Sequence, residues 1–247
     1  MKKFLSGLNI TYRYQKTDFG NTETVLLLHG WGGSLNSFRF LENQLAKEGF
    51  SVITLDFPGF GGSDLPREDF SLDDYKKIVE ELVEKENIKS VHIIAHSFGG
   101  RVAIKLSAET NLVKKLVLVD SAGIKPRFSL AKNIKILHYK FLKSLKKIGL
   151  IKRDLNNFGS ADYKAMPNNL KSVFNRIVNE DLSGVLHKIE CPTLIVWGRN
   201  DRETPLYMAK KLNKGIKDSA IVTFDGGHFA YLQNAEKFTI IVKEFLK

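Results

Sequence analysis

The stretch that decides the fold is Val91-His92-Ile93-Ile94-Ala95-His96-Ser97-Phe98-Gly99-Gly100. A strand-type run ends at Ser97, and two small residues, Ala95 and Gly99, lie two positions to either side of it. A helix-compatible segment follows at residues 101–109. This layout is typical of a nucleophile elbow, a tight strand-to-helix turn that exposes a serine hydroxyl above the end of a sheet. Ala95 stands where the strict G-x-S-x-G pattern has glycine, and a simple helix N-cap at Ser97 is the alternative interpretation.

A glycine-rich turn follows an earlier apolar run. Thr24–Leu28 reads as a strand buried on both faces, and it is followed by His29-Gly30-Trp31-Gly32-Gly33. In serine hydrolases such a turn supplies one oxyanion donor, and the amide after the nucleophile supplies the other. The sequence therefore predicts the amides of Trp31 and Phe98 as the donors. A phosphate-binding Walker loop is excluded because the Gly-Lys-Ser/Thr sequence is missing.

A carboxylate and a histidine follow later strands. Asp201 comes shortly after the apolar run at residues 193–197, and His228 shortly after the run at residues 221–224. The order Ser97, Asp201, His228 along the chain is that of α/β-hydrolase triads, in which histidine takes the serine proton and the carboxylate orients the histidine. Asp120, at the end of another apolar run, is the alternative acid. Asp225 lies on the same turn as His228 and is not expected to reach its imidazole.

These motifs together resemble the α/β-hydrolase superfamily over nearly the whole chain. The chain is most similar to the branch of serine esterases and carbon–carbon-bond hydrolases, and its His29-Gly-Trp-Gly opening is similar to methyl-ester carboxylesterases. The other matching pieces are Asp56-Phe-Pro-Gly-Phe-Gly-Gly-Ser63, the Ser97 elbow, Trp197-Gly-Arg-Asn-Asp201 and Gly227-His228. The resemblance implies acyl-enzyme chemistry with no metal and no organic cofactor. The resemblance also supports Asp120 as the alternative acid, because some relatives have their catalytic acid at the end of the corresponding strand.

The predicted fold class is α/β: a mostly parallel sheet flanked by helices, with a helical cap inserted after the sixth core strand. Residues 1–120 and 191–247 are expected to form the core, and residues 121–190 the cap. Helices are expected at residues 35–48, 71–87, 99–110, 205–214 and 234–246, and the first strand is expected to begin at Leu8. Within the cap, apolar residues at three- and four-residue spacing predict a helix over residues 130–148.

Positive charge is concentrated in the predicted cap. Residues 121–153 contain ten Lys or Arg and no Asp or Glu, against a net charge of +11 for the whole chain. A solvated lysine face is one interpretation, and attraction of an anionic substrate or an acidic carrier protein is another. Contact with an anionic membrane surface is a third. No nucleic-acid-binding motif accompanies the charge, so a nucleic-acid partner is not expected.

The remaining composition bounds the class of protein. With 247 residues, 43% hydrophobic and 26% charged, the chain suits one soluble domain. No apolar run approaches the roughly 20 residues of a transmembrane helix, and the N-terminal apolar stretch is too short for a secretion signal. A cytoplasmic location is therefore expected.

The expected function is hydrolysis of carboxylic esters of small to medium acyl groups through an acyl-enzyme. Two alternatives stay open on the same residues. One is cleavage of a carbon–carbon bond in a vinylogous diketone, and the other is a ligand-binding signalling protein with slow turnover. Fold alone does not decide among these functions.

Overall fold

The computed structural model describes residues 1–17, 23–126 and 168–247. One eight-stranded sheet has the order β1-β2-β4-β3-β5-β6-β7-β8. The strands are β1 Lys2–Leu5, β2 Leu8–Gln15, β3 Thr24–Leu28, β4 Ser51–Leu55, β5 Val91–His96, β6 Val113–Val119, β7 Thr193–Gly198 and β8 Ser219–Phe224. The helices are α1 Arg39–Lys47, α2 Leu72–Lys85, α3 Phe98–Glu109, α4 Asn168–Asn179, α5 Tyr207–Gly215, α6 Ala230–Gln233 and α7 Ala235–Leu246, with a 3-10 turn at Leu186–Lys188. The predicted mostly parallel α/β sheet is confirmed.

The strand predicted to begin at Leu8 is present as β2, but it is not the first strand of the chain. The sheet begins at β1, which pairs antiparallel with β2 through the two-residue turn Ser6-Gly7. Both turn residues have positive φ, at 46° and 82°, which is the geometry of hairpin turns that match the twist of their strands. The amphipathic alternation of β2 is easily seen in the sequence, whereas β1 is four residues long and has only Leu5 buried.

The central strands are buried on both faces, and this explains their continuous apolar sequences. In β3, Leu26 and Leu28 belong to the hydrophobic core on one face of the sheet, while Val25 and Leu27 belong to the core on the other. Helices α2, α3 and α5 contribute to the first core, and α1 and α7 contribute to the second. Such two-sided burial is what helices on both faces of a parallel sheet impose.

Strand order brings two loops together at one edge. Strand β3 lies between β4 and β5 and pairs parallel with both, so the order of the strands reverses at β3 and β5. In open parallel sheets, ligands bind beyond the carboxyl ends of the strands at this switch point. The turn after β3 and the elbow after β5 are therefore neighbours.

Only part of the predicted cap lies within the described residues. Helix α4 begins at residue 168, and its C-terminal end is held against the core. The buried guanidinium of Arg101 on α3 donates to the carbonyl oxygens of Val178 and Glu180 at 3.2 and 2.8 Å. The predicted helix over residues 130–148 lies outside the described residues, as does most of the basic segment 121–153.

Candidate active site

Ser97 occupies a strained turn at the end of β5. Its φ is +48° and its ψ is −110°, a conformation that non-glycine residues rarely adopt. All six residues of β5 are buried, and α3 begins immediately afterwards at Phe98. The chain therefore reverses direction at Ser97 and holds its hydroxyl above the carboxyl end of the sheet, where the sequence predicted it.

The small residues after Ser97 are required by close backbone contacts. A Cβ at Gly99 would lie 2.5 Å from the carbonyl oxygen of Leu28, and one at Gly100 would collide with the side chain of Ser121. The amide of Gly99 also donates to the carbonyl oxygen of His29 at 3.1 Å. Ala95 is fully buried in β5, so this strand accommodates a methyl group where the strict G-x-S-x-G pattern has glycine.

The structure brings Ser97, His228 and Asp201 together. His228 lies between β8 and α6, with Nε2 2.9 Å from Ser97 Oγ and Nδ1 2.8 Å from Asp201 Oδ2. These distances fit a tautomer in which Nδ1–H donates to Asp201 while Nε2 accepts from the Ser97 hydroxyl. The arrangement can pass the serine proton to the imidazole and stabilise the imidazolium that results.

The loop after β7 keeps Asp201 ionised although it is buried. Its Oδ1 accepts from the amides of Glu203 and Thr204 at 2.8 and 3.0 Å, and its Oδ2 accepts from the Thr204 hydroxyl at 2.6 Å. Burial raises the pKa of Asp201, but hydrogen bonds from His228 and Thr204 outweigh it, so the pKa lies below its ordinary value. Burial lowers the pKa of His228, and the bond to Asp201 reverses that effect, so the net shift is upward.

The alternative acid, Asp120, makes different contacts. Its Oδ1 accepts from the amide of Gly198 at 2.7 Å, and its Oδ2 has no hydrogen-bond partner among the described residues. Burial raises the pKa of Asp120 to about 8, which favours a neutral acid near neutral pH. Asp225 faces away from the site and pairs with Arg199 at 2.8 Å. Of the three carboxylates considered from sequence, Asp201 is the one in hydrogen-bond contact with His228.

The turn after β3 is tied down from several sides. Burial lowers the pKa of His29 to about 4, and the neutral ring links the carbonyl oxygen of Gly30 to the amide of Phe57 at 2.7 and 3.0 Å. Asp56 accepts from the amides of Leu35 and Gly62 at 2.6 and 2.9 Å, which organises the adjoining loop. Within the described part of the chain, the predicted donor amides of Trp31 and Phe98 are hydrogen-bonded to no protein acceptor.

A model of the alpha/beta hydrolase fold matches residues 23–148, which include the glycine-rich turn and the elbow. The chain belongs to the α/β-hydrolase family. One curated relative of this α/β-hydrolase is a 2-hydroxy-6-oxononadienedioate/2-hydroxy-6-oxononatrienedioate hydrolase from Klebsiella pneumoniae. It is 31% identical, and the match covers 96% of this chain and 91% of the relative.

Solved structures give the same fold for this α/β-hydrolase. An esterase from Exiguobacterium antarcticum has a TM-score of 0.79 at 23% identity, covering 99% of this chain and 98% of the other. A meta-cleavage product hydrolase from Pseudomonas fluorescens has a TM-score of 0.75 at 20% identity, covering 100% and 97%. At these identities the likeness concerns the fold alone.

His96 is buried beside the nucleophile of this α/β-hydrolase and contacts three parts of the site. Its Nε2 donates to the carbonyl oxygen of His228 at 2.9 Å, and the two rings lie 4.8 Å apart. Burial lowers the pKa of His96 to about 3, so the ring is neutral. A Cβ at Gly30 would lie 2.7 Å from His96 Nδ1, so the ring also packs against the glycine-rich turn. One buried side chain thus joins the elbow, the turn and the loop of His228.

Sequence reasoning missed Glu203 and Thr204 beside Asp201. The spacing offered a weak signal, because an Asp side chain often accepts from amides two and three residues later in a turn.

None of the helices that the structure describes combines the length and the hydropathy needed to cross a membrane.

Proposed function

We propose that this α/β-hydrolase is a serine carboxylesterase that cleaves esters of small to medium acyl groups. The observation that carries the proposal is the position of the His228 ring, hydrogen-bonded to Ser97 at 2.9 Å and to Asp201 at 2.8 Å. Nucleophile, acid and base follow three different strands, β5, β7 and β8.

The chemistry follows from these contacts. Ser97 Oγ attacks the ester carbonyl carbon and its proton passes to His228 Nε2, while the amides of Trp31 and Phe98 donate to the developing oxyanion. The C–O bond breaks, His228 returns the proton to the departing alcohol, and the acyl group stays on Ser97. Water then attacks this ester through the same base, which releases the acid and restores the serine.

An aromatic cluster beside the predicted oxyanion donors supports an apolar acyl group. The Trp31 ring lies 4.9 Å from Phe60, 5.2 Å from Phe98 and 4.9 Å from Phe174 of α4, each in an edge-to-face arrangement. Such rings present apolar surface with little conformational freedom. The cluster therefore favours acyl chains over charged acyl groups.

The experiment is hydrolysis of para-nitrophenyl esters of increasing chain length by the wild type and by Ser97→Ala. We expect turnover that peaks at small to medium chains and falls to near background in the variant. Ser183→Ala, which removes an exposed hydroxyl elsewhere, is the matched control. Turnover that survives Ser97→Ala refutes the nucleophile.

Cleavage of a carbon–carbon bond is the second candidate, because a relative named as a hydrolase of 2-hydroxy-6-oxononadienedioate, a vinylogous diketone, aligns over 96% of the chain. The same three residues would act, and the departing fragment would take its proton on carbon. A coloured dienoate that bleaches much faster than any ester is hydrolysed would favour this candidate. The proposed attraction of anionic substrates by residues 121–153 is tested by varying salt with one anionic and one neutral ester, since it predicts a salt-sensitive rate for the anionic ester only.

A further inference from the structure

Glu203 places a second carboxylate beside the reactive nitrogen of the base. Its Oε2 lies 3.8 Å from His228 Nε2, the atom that also contacts Ser97. The Glu203 side chain is 62% exposed. Its backbone amide donates to Asp201, which holds the Cα of Glu203 in place beside the site. Within the described residues, no donor is hydrogen-bonded to this carboxylate. The charge therefore faces the reactive side of the imidazole.

Other groups around His228 act elsewhere on the ring. Asp201 faces Nδ1, the neutral His96 ring packs on the imidazole, and the buried Asp120 accepts from the Gly198 amide. Of these groups and Glu203, only the Glu203 carboxylate lies on the Nε2 side. In acyl transfer this is the side from which the leaving group receives its proton. The departing alcohol thus passes close to a carboxylate.

We propose that Glu203 is a specificity-determining residue that favours leaving groups with neutral or positive charge and disfavours anionic ones. This inference rests on the proposed acyl-transfer function. It also bears on the second candidate, because a dioate chain carries a carboxylate at each end and leaves one on each fragment after cleavage. Glu203 would oppose the fragment that departs past His228.

The expected magnitude follows from Coulomb's law. Two unit charges 4–8 Å apart in water interact with an energy equivalent to about a twofold to fivefold change in rate. The effect should shrink at high salt, because the Debye length falls to about 3 Å at 1 M. It is a modest effect, so it has to be measured as a ratio between substrates of equal shape.

Two pairs of butyrate esters isolate the leaving-group charge. Butyrylcholine and 3,3-dimethylbutyl butyrate have the same shape and differ by a positive charge, and 3-carboxyphenyl and 3-carbamoylphenyl butyrate differ by a negative one. In Glu203→Gln, the cationic-to-neutral ratio of kcat/KM should fall about twofold to fivefold, and the anionic-to-neutral ratio should rise by a similar factor. Glu190→Gln removes the same charge at the opposite end of β7 and should leave both ratios unchanged.

A pH profile provides a second readout. The pKa of His228 is lowered by burial and raised by Asp201 and then by Glu203, with a net upward shift. Activity requires the neutral base, so Glu203→Gln should move the acid limb of kcat/KM for the neutral ester to lower pH. A loss of packing alone would lower the rate without moving this limb.

The outcomes separate the two proposals. Ratios that stay the same in Glu203→Gln, or that change equally in Glu190→Gln, overturn the role of Glu203 while leaving the esterase intact. Absence of ester turnover in the wild type contradicts the esterase. In that case, labelling of Ser97 by a choline phosphonate and its uncharged dimethylbutyl isostere still reports the charge preference without turnover. Equal dependence of the two labelling rates on Glu203 would overturn the inference.

Discussion

Replacing Asp120 by Asn separates the two candidate acids through both activity and stability. Asp120 is fully buried, and its Oδ1 accepts from the Gly198 amide. Its pKa, raised to about 8 by burial, makes the side chain a neutral acid at pH 7. Asn has the same shape and keeps the acceptor, so Asp120→Asn should retain kcat within about threefold at pH 7. Asp201→Asn should lose about 10⁴-fold, because it removes the charge that orients and stabilises the protonated base.

The stability change has a definite sign. The pKa of Asp120 rises from an ordinary 3.8 to about 8 on folding, so the folded state keeps a proton that the unfolded chain releases. The free energy of unfolding of the wild type therefore falls by about 1.4 kcal/mol per pH unit between about pH 4 and pH 8. Asn does not titrate. Asp120→Asn should match the wild type near pH 4 and exceed it by about 4 kcal/mol at pH 7, reaching a plateau above pH 8.

Urea unfolding at pH 4 to 9, followed by tryptophan fluorescence, measures this difference. Asp225→Asn is the control, since that carboxylate is 85% exposed and the loss of its surface ion pair with Arg199 should change the free energy of unfolding little. A difference between Asp120→Asn and the wild type that is constant across pH would refute a protonated Asp120. A loss of activity as large as that of Asp201→Asn would identify Asp120 as the acid instead.

Two further substitutions test the supports of the site. Thr204→Val removes the hydroxyl that donates to Asp201 at 2.6 Å. Without this donor the Asp201 carboxylate should stabilise the His228 imidazolium more strongly. We therefore expect kcat/KM to fall about tenfold near pH 7 and the acid limb of its pH profile to move to higher pH. Thr204→Ser should restore both, and an unshifted limb in the Val variant would contradict this role. Arg101→Met removes the donors to the Val178 and Glu180 carbonyls and should lower the free energy of unfolding by about 2 kcal/mol, with faster amide exchange in α4. Arg67→Met, at a side chain 65% exposed, is the control, and equal exchange in both variants would contradict the anchoring of α4.

The elements that the sequence predicted well are those whose pattern is set by burial. Strands β3, β5 and β7 are buried along their whole length, so apolar residues occupy both faces of each strand. Helix α2, expected over residues 71–87, spans Leu72–Lys85, and Ser71 and Asp74 exchange hydrogen bonds at its start. Strand β1 was missed because its stability comes from pairing with β2, which four residues with only Leu5 buried do not reveal.

For the site, the sequence predicted which residues follow strand ends, and strand order then brought them together. Parallel strands deliver their carboxyl ends to one edge, so Ser97, Asp201 and His228 needed no further information to be neighbours. The contacts of Thr204 and Glu203 depend on the path of one turn after β7, and the contact of His96 depends on how the His228 loop packs. Such contacts are set by loop geometry, which leaves no periodic pattern in a sequence.

Three carboxylates surround the candidate base, and the fold gives each a different state through its environment. Asp201 is buried but accepts four hydrogen bonds, which keeps it ionised at Nδ1. Asp120 is buried with one oxygen lacking a partner among the described residues, so burial favours its neutral form. Glu203 reaches solvent and stays near Nε2. A charged Asp120 would raise the pKa of the imidazole further and so favour its protonated form, which cannot accept the Ser97 proton. Because Asp120 is neutral, Asp201 orients the imidazole through Nδ1, and the charge of Glu203 acts on the leaving group near Nε2.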